Sequence, residues 1–87
     1  MSYTITFTRK AAKSFQKIPA KFGNGIINAL KDLARDPYSN GSVKKLEGHD
    51  GYRMRVGDYR VIYELEDEIR VIRVTKVGTR GDVFKRG

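Results

Sequence analysis

Three arginines, Arg53, Arg55 and Arg60, bracket a Gly57–Asp58 pair in the run Tyr52-Arg-Met-Arg-Val-Gly-Asp-Tyr-Arg-Val-Ile-Tyr63. Guanidinium groups bind phosphate through paired N–H donors and stabilise charge that develops on a phosphate during transfer. They stay protonated throughout the physiological range and so make poor general bases. A cluster of them therefore suits phosphate binding and charge stabilisation, and leaves proton transfer to another group. The plainer reading is a solvated outer face of surface arginines, which are common.

The element that must position them is a β-hairpin. Two runs of alternating aromatic, apolar and arginine residues flank Gly57–Asp58, and glycine at the first central position suits a two-residue type II′ turn. That turn pairs Val56 with Tyr59, Arg55 with Arg60, Met54 with Val61, Arg53 with Ile62 and Tyr52 with Tyr63. Cross-strand partners share a face. One face then carries Tyr52, Met54, Val56, Tyr59, Val61 and Tyr63 and belongs to a core, while the other carries Arg53, Arg55 and Arg60. Like charges directly opposite one another destabilise a sheet by a few tenths to about 1 kcal/mol. A local rule broken inside the best-defined element of a chain points to function.

Around the hairpin, 87 residues are enough for one small domain, 1–87, with a modest core. Lys and Arg number 18 against 10 Asp and Glu, a net charge of +8, which points to a polyanion or an acidic protein partner. The chain lacks cysteine, so disulfides and thiolate metal sites are excluded and a reducing cytoplasm is the expected location. No run of about 18 apolar residues and no signal-peptide segment are present, and no membrane association is expected.

Residues 3–8 alternate large apolar residues with Thr and read as a strand with Tyr3, Ile5 and Phe7 inward. Thr8 is placed to cap a helix from about Arg9 to Ile18, with Ala11, Phe15 and Ile18 on one stripe. A second helix, from Pro19 or Ala20 to Arg35, carries Phe22, Ile26, Leu30 and Leu33 on its apolar stripe and stops at Asp36–Pro37. Gly23 and Gly25 weaken its first turns. Residues 36–51 are dense in turn formers and read as a long loop anchored by Val43 and Leu46. A last strand from Ile69 to Val77 follows an acidic turn, Glu66-Asp67-Glu68. A three-residue loop there pairs Glu64 with Arg70 and Tyr63 with Val71. In that register Arg73 falls on the core parity, which requires an exposed strand end or a bulge. The tail carries Val83 and Phe84 as anchors. The order β-α-α-β-β-β implies an α+β domain, an antiparallel-rich sheet with an N-terminal αα-hairpin packed on one face and the arginines on the other.

Metal catalysis finds little support, with one His, no Cys and carboxylates gathered at 66–68 away from His49. Gly23-Asn-Gly25 lacks the spacing and the lysine of a phosphate cradle. No cofactor is implied.

The hairpin, together with Arg70-Val-Ile-Arg-Val-Thr-Lys-Val-Gly-Thr-Arg80 and Asp82-Val-Phe-Lys-Arg86, resembles the RelE branch of the RelE/ParE toxin superfamily, over almost the whole chain. The resemblance implies a small α+β toxin of a toxin-antitoxin pair that enters the ribosomal A site and cuts mRNA. Its partners are then a cognate acidic antitoxin, the ribosome and mRNA. By the same resemblance Arg53 and Arg55 match the two basic positions before the turn, Arg60 the arginine after it and Arg80 the strand-end arginine. Phe84 stands where well-studied members carry a tyrosine.

These matches imply that Arg60 clamps the phosphate and stabilises its charge, that Arg80 does so near the leaving group, and that Arg53 and Arg55 contact substrate backbone and ribosomal RNA. Lys44, Lys45, Lys76, Lys85 and Arg86 add candidate RNA contacts. The two pre-turn positions are often lysine in the family, and with arginine there and no tyrosine the general base is unassigned; Lys44, Lys45 and His49 are weak candidates. Two other readings stay open: a ParE-type DNA gyrase inhibitor on the same fold, and a non-catalytic RNA-binding module.

Overall fold

The computed structural model describes residues 2–37, 43–45 and 51–79. Two helices, α1 (Arg9–Gln16) and α2 (Ala20–Arg35), accompany five strands: β1 (Thr4–Phe7), β2 (Val43–Lys45), β3 (Tyr52–Val56), β4 (Tyr59–Glu66) and β5 (Val71–Thr79). The strands form one sheet in the order β1-β5-β4-β3-β2. Every neighbouring pair is antiparallel except β1 with β5, which is parallel. The expected α+β class and antiparallel-rich sheet are therefore present. One strand was not foreseen: Val43–Lys45, inside the stretch read as a loop, pairs with β3 at the sheet edge. Three residues among turn formers carry too little periodicity to announce a strand. Leu46, His49 and the tail from Arg80 onward lie outside the described residues.

Thr8 caps α1 as its position suggested, its hydroxyl accepting from the Ala11 N–H at 3.2 Å. The helix ends at Gln16, two residues early, because the Lys17 and Ile18 N–H groups close tighter turns onto Ser14 and Phe15 carbonyls and the residue before a proline disfavours helical backbone. Ala11, Ile26, Leu30 and Leu33 are buried beside Met54, Val61, Tyr63, Ile72, Val74 and Val77. Tyr3, Ile5, Phe7, Phe15 and Ile18 pack partly buried at the margin of this core. Phe22 departs from the expected stripe and is 45% exposed. It sits in the first turn of α2, where its ring meets Tyr59 with centroids 5.6 Å apart. Gly23 is buried for a reason the sequence hid. A methyl group there would lie 3.3 Å from the Phe15 ring, so the glycine admits the close approach of α1.

The hairpin register agrees with the expectation at all five pairs, Tyr52 with Tyr63 through Val56 with Tyr59. Gly57 has φ +59° and Asp58 does not share the positive φ, the combination of a type II′ turn. The β4–β5 connection corrects the register assigned to the last strand. Its turn spans four residues, 67–70, closed by the Arg70 N–H on the Asp67 carbonyl at 3.3 Å, with Arg70 in the left-handed region at φ 53°. Glu64 consequently faces Arg73 rather than Arg70, and Tyr63 faces Val74 rather than Val71. This places Arg73 on the open side.

Candidate polyanion-binding face

The helices cover one side of the sheet, and the other side carries the arginines. Arg55 is the direct partner of Arg60, and Arg60 is in turn the partner of Gly78. One row further from the turn, Lys44, Arg53, Ile62 and Lys76 are register partners across four strands. Arg55 is exposed, and Arg53 and Arg60 are half-buried. Arg60 donates from Nη1 to the carbonyl of Tyr59 at 3.2 Å, which holds its guanidinium near its own strand.

Lys76 belongs to this face because of a bulge. Pairing runs from Tyr63 opposite Val74 to Ile62 opposite Lys76, so Thr75 is the extra residue on β5. The Thr75 hydroxyl donates to the Ile62 carbonyl at 3.2 Å and satisfies that acceptor at the break in the ladder. Continued without the bulge, the ladder would turn Lys76 inward and the now buried Val77 outward. Alternation alone does not locate such a break. A threonine between Val74 and Lys76, in a strand whose apolar parity shifts from Ile72 and Val74 to Val77, is the only trace of it in the sequence.

The other half of the open face has different chemistry. Arg73 is paired with both Glu66 and Glu64, the latter at 3.8 Å. Its hydrogen bond holds the Glu66 carboxyl below the ordinary range, and Glu66 in turn raises the guanidinium further. At the adjoining turn the Tyr3 hydroxyl donates to Asp67 at 2.8 Å, an interaction that raises the phenol. Basic residues thus gather toward the hairpin turn and ion-paired residues toward the β4–β5 turn.

Of the residues singled out from the sequence, Arg53, Arg55, Arg60 and Lys76 share one face. The backbone of Lys44 lies in register with them and that of Lys45 pairs with Tyr52. Arg80, Phe84, Lys85 and Arg86 lie outside the described residues. Among the described residues, no three His, Cys, Asp or Glu side chains group as a metal site, and no helix is long and apolar enough to cross a membrane. Guanidinium and ammonium groups gathered in this way are chemically suited to pairing with phosphate and other anions.

Comparison with known proteins gives this architecture a context. Residues 5–84 match the family described as "ParE toxin of type II toxin-antitoxin system, parDE". The chain is 30% identical to Toxin RelG of Mycobacterium tuberculosis over 87 residues, 99% of this chain and 100% of that one. An archaeal RelE–RelB complex from Pyrococcus horikoshii superposes with TM-score 0.79 at 32% identity, over 93% of this chain and 98% of the other. The intact E. coli RelBE toxin-antitoxin complex does so with TM-score 0.79 at 26% identity, over 90% and 96%. These likenesses define a class, the toxins of type II toxin-antitoxin systems. The chain belongs to the ParE toxin family of that class, in the RelE/ParE superfamily.

Proposed function

We propose that this toxin is a ribosome-dependent endoribonuclease of the RelE type that cuts mRNA in the ribosomal A site, and that an acidic antitoxin neutralises it. The observation that carries this reading is the direct pairing of Arg55 with Arg60 beside Arg53 and Lys76, on the face of the sheet opposite the helices. Cleavage proceeds by attack of a ribose 2′-oxygen on the adjacent phosphorus. The P–O5′ bond breaks, the 2′-proton is lost and the 5′-oxygen gains one, leaving a 2′,3′-cyclic phosphate and a 5′-hydroxyl. Charge on the pentacoordinate phosphorus is the part of this path that guanidinium groups stabilise.

Arg60 takes that role, with its guanidinium already steered by the Tyr59 carbonyl. Arg53 and Arg55 hold the substrate backbone and ribosomal RNA. Arg80 acts near the leaving group, and Phe84 fills the position of the family tyrosine. Lys44, Lys45, Lys76, Lys85 and Arg86 extend the RNA contact. The group that removes the 2′-proton is unassigned; the ribosome aligns the attacking oxygen with the phosphorus, and alignment of that kind lowers barriers by several kcal/mol.

The antitoxin follows from charge and from the relatives. Relatives of this fold are known as RelB–RelE complexes, and a chain of net charge +8 suits an acidic segment that folds along it. A cytoplasmic location goes with these partners. The ParE description of the matching family favours a second reading, inhibition of DNA gyrase.

Primer extension on a translated mRNA after induction of the toxin separates the readings. Discrete new 5′ ends inside the reading frame, lost when the start codon is removed, are the expected result. Growth arrest with intact mRNA and accumulated gyrase–DNA cleavage complexes would establish the gyrase reading instead.

A further inference from the structure

The open face divides by charge, and the division falls between two rows of the β4–β5 ladder. On the hairpin side stand Arg53, Arg55, Arg60 and Lys76. On the far side Arg73 faces Glu64, forms an ion pair with it at 3.8 Å, and donates a hydrogen bond to Glu66. Two carboxylates against one guanidinium leave that cluster net negative. Asp67 and Glu68, exposed in the adjoining turn, add to it, and Arg70 in the same turn offsets part of that charge. Arg73 would otherwise continue the basic surface toward the parallel strand β1, where its register partner is Thr6. A phosphate approaching it must compete with Glu66, which accepts its hydrogen bond, and with the paired charge of Glu64, and must do so against the repulsion of both carboxylates.

We propose that Glu64 and Glu66 hold Arg73 out of the nucleic-acid footprint and confine the bound strand to the hairpin half of the open face. The two carboxylates act as specificity-determining positions: they set where the phosphate track ends and so which phosphate rests at Arg60. This rests on the reading of the face as an RNA surface, and deepens it by fixing the limits of that surface.

The salt dependence of binding counts the phosphates neutralised, because log Kd against log salt for single strands has a slope of about 0.7 per phosphate contact. The probe is a fluorescent 12-nucleotide RNA with 2′-O-methyl riboses, which cannot be cut, titrated with the purified full-length toxin. Arg73→Gln alone is expected to leave the slope unchanged, since Arg73 lies outside the track. The double variant Glu64→Gln/Glu66→Gln is expected to steepen it by about 0.7 as Arg73 gains a phosphate. Adding Arg73→Gln to that pair should restore the original slope. Reversion separates recruitment of Arg73 from a general gain in net charge, which would persist in the triple variant.

A slope lowered by Arg73→Gln alone would place Arg73 inside the native footprint and overturn the inference, as would an unchanged slope in the double variant or a steepened one that persists in the triple. Those failures leave the RNA reading intact. Salt-independent binding by the wild type would overturn both.

Discussion

Arg55 and Arg60 face each other across the hairpin, one pair in from the Gly57–Asp58 turn. Direct pairing of like charges costs a hairpin a few tenths to about 1 kcal/mol, a penalty that a ligand of opposite charge relieves. Arg55→Thr is therefore expected to stabilise the free toxin by about 0.5 kcal/mol, a rise in Tm of roughly 2–4 °C, while weakening RNA binding. Thermal unfolding beside RNA titration checks it. A variant that loses stability would show that the pair is not repulsive.

Gly57→Ala carries the opposite expectation. Its φ of +59° is disfavoured for any L side chain although the space around it is open. The backbone alone should cost about 1–2 kcal/mol. Activity should fall with stability, since the same turn sets the Arg55–Arg60 pairing. Chemical denaturation gives the free energy, and no loss would mean that the turn relaxes to another type.

The two helix glycines separate propensity from packing. Gly25 has nothing within 4 Å of an added methyl, and Gly23 has the Phe15 ring at 3.3 Å. Gly25→Ala should stabilise the protein by about 0.5–1 kcal/mol. Gly23→Ala should gain clearly less or lose, because the ring must shift. Urea midpoints of the two variants decide it, and equal gains would contradict the close approach of α1 to α2.

The hairpin was legible in the sequence because period-two alternation and a glycine-led turn specify register together, so Arg53, Arg55 and Arg60 could be placed on one face before any coordinates. The helices were legible from Thr8, Pro19 and the stripe of Ile26, Leu30 and Leu33. What escaped was set by non-local contacts. The β4–β5 register depended on Arg70 adopting positive φ, a conformation that arginine rarely signals. Lys76 depended on the bulge at Thr75, and Arg73 became an open-face residue only once that register was known. Phe22, in the first turn of α2, lies on the same helical stripe as Ile26 and is nonetheless exposed, a difference that helical periodicity does not record.

Glu66 supplies a pH test. Arg73 depresses its folded-state pKa below the ordinary 4.5, so its contribution to stability is present above that value and is lost as pH falls through the folded pKa. Wild type should exceed Glu66→Gln in urea midpoint at pH 7, and the gap should close as the pH drops below about 4.5. A gap that persists to pH 2 would show that the carboxylate charge is not what stabilises the pair.

Arg60 tests the central claim most directly. Single-turnover cleavage of mRNA on programmed ribosomes, measured for wild type and Arg60→Ala alongside Tm, should show a fall of roughly 10²-fold or more, the usual loss when a charge-stabilising donor is removed. The Tm should be unchanged or slightly higher. Cleavage by Arg60→Ala at the wild-type rate, with full toxicity in cells, would contradict the assignment of this face as the catalytic one.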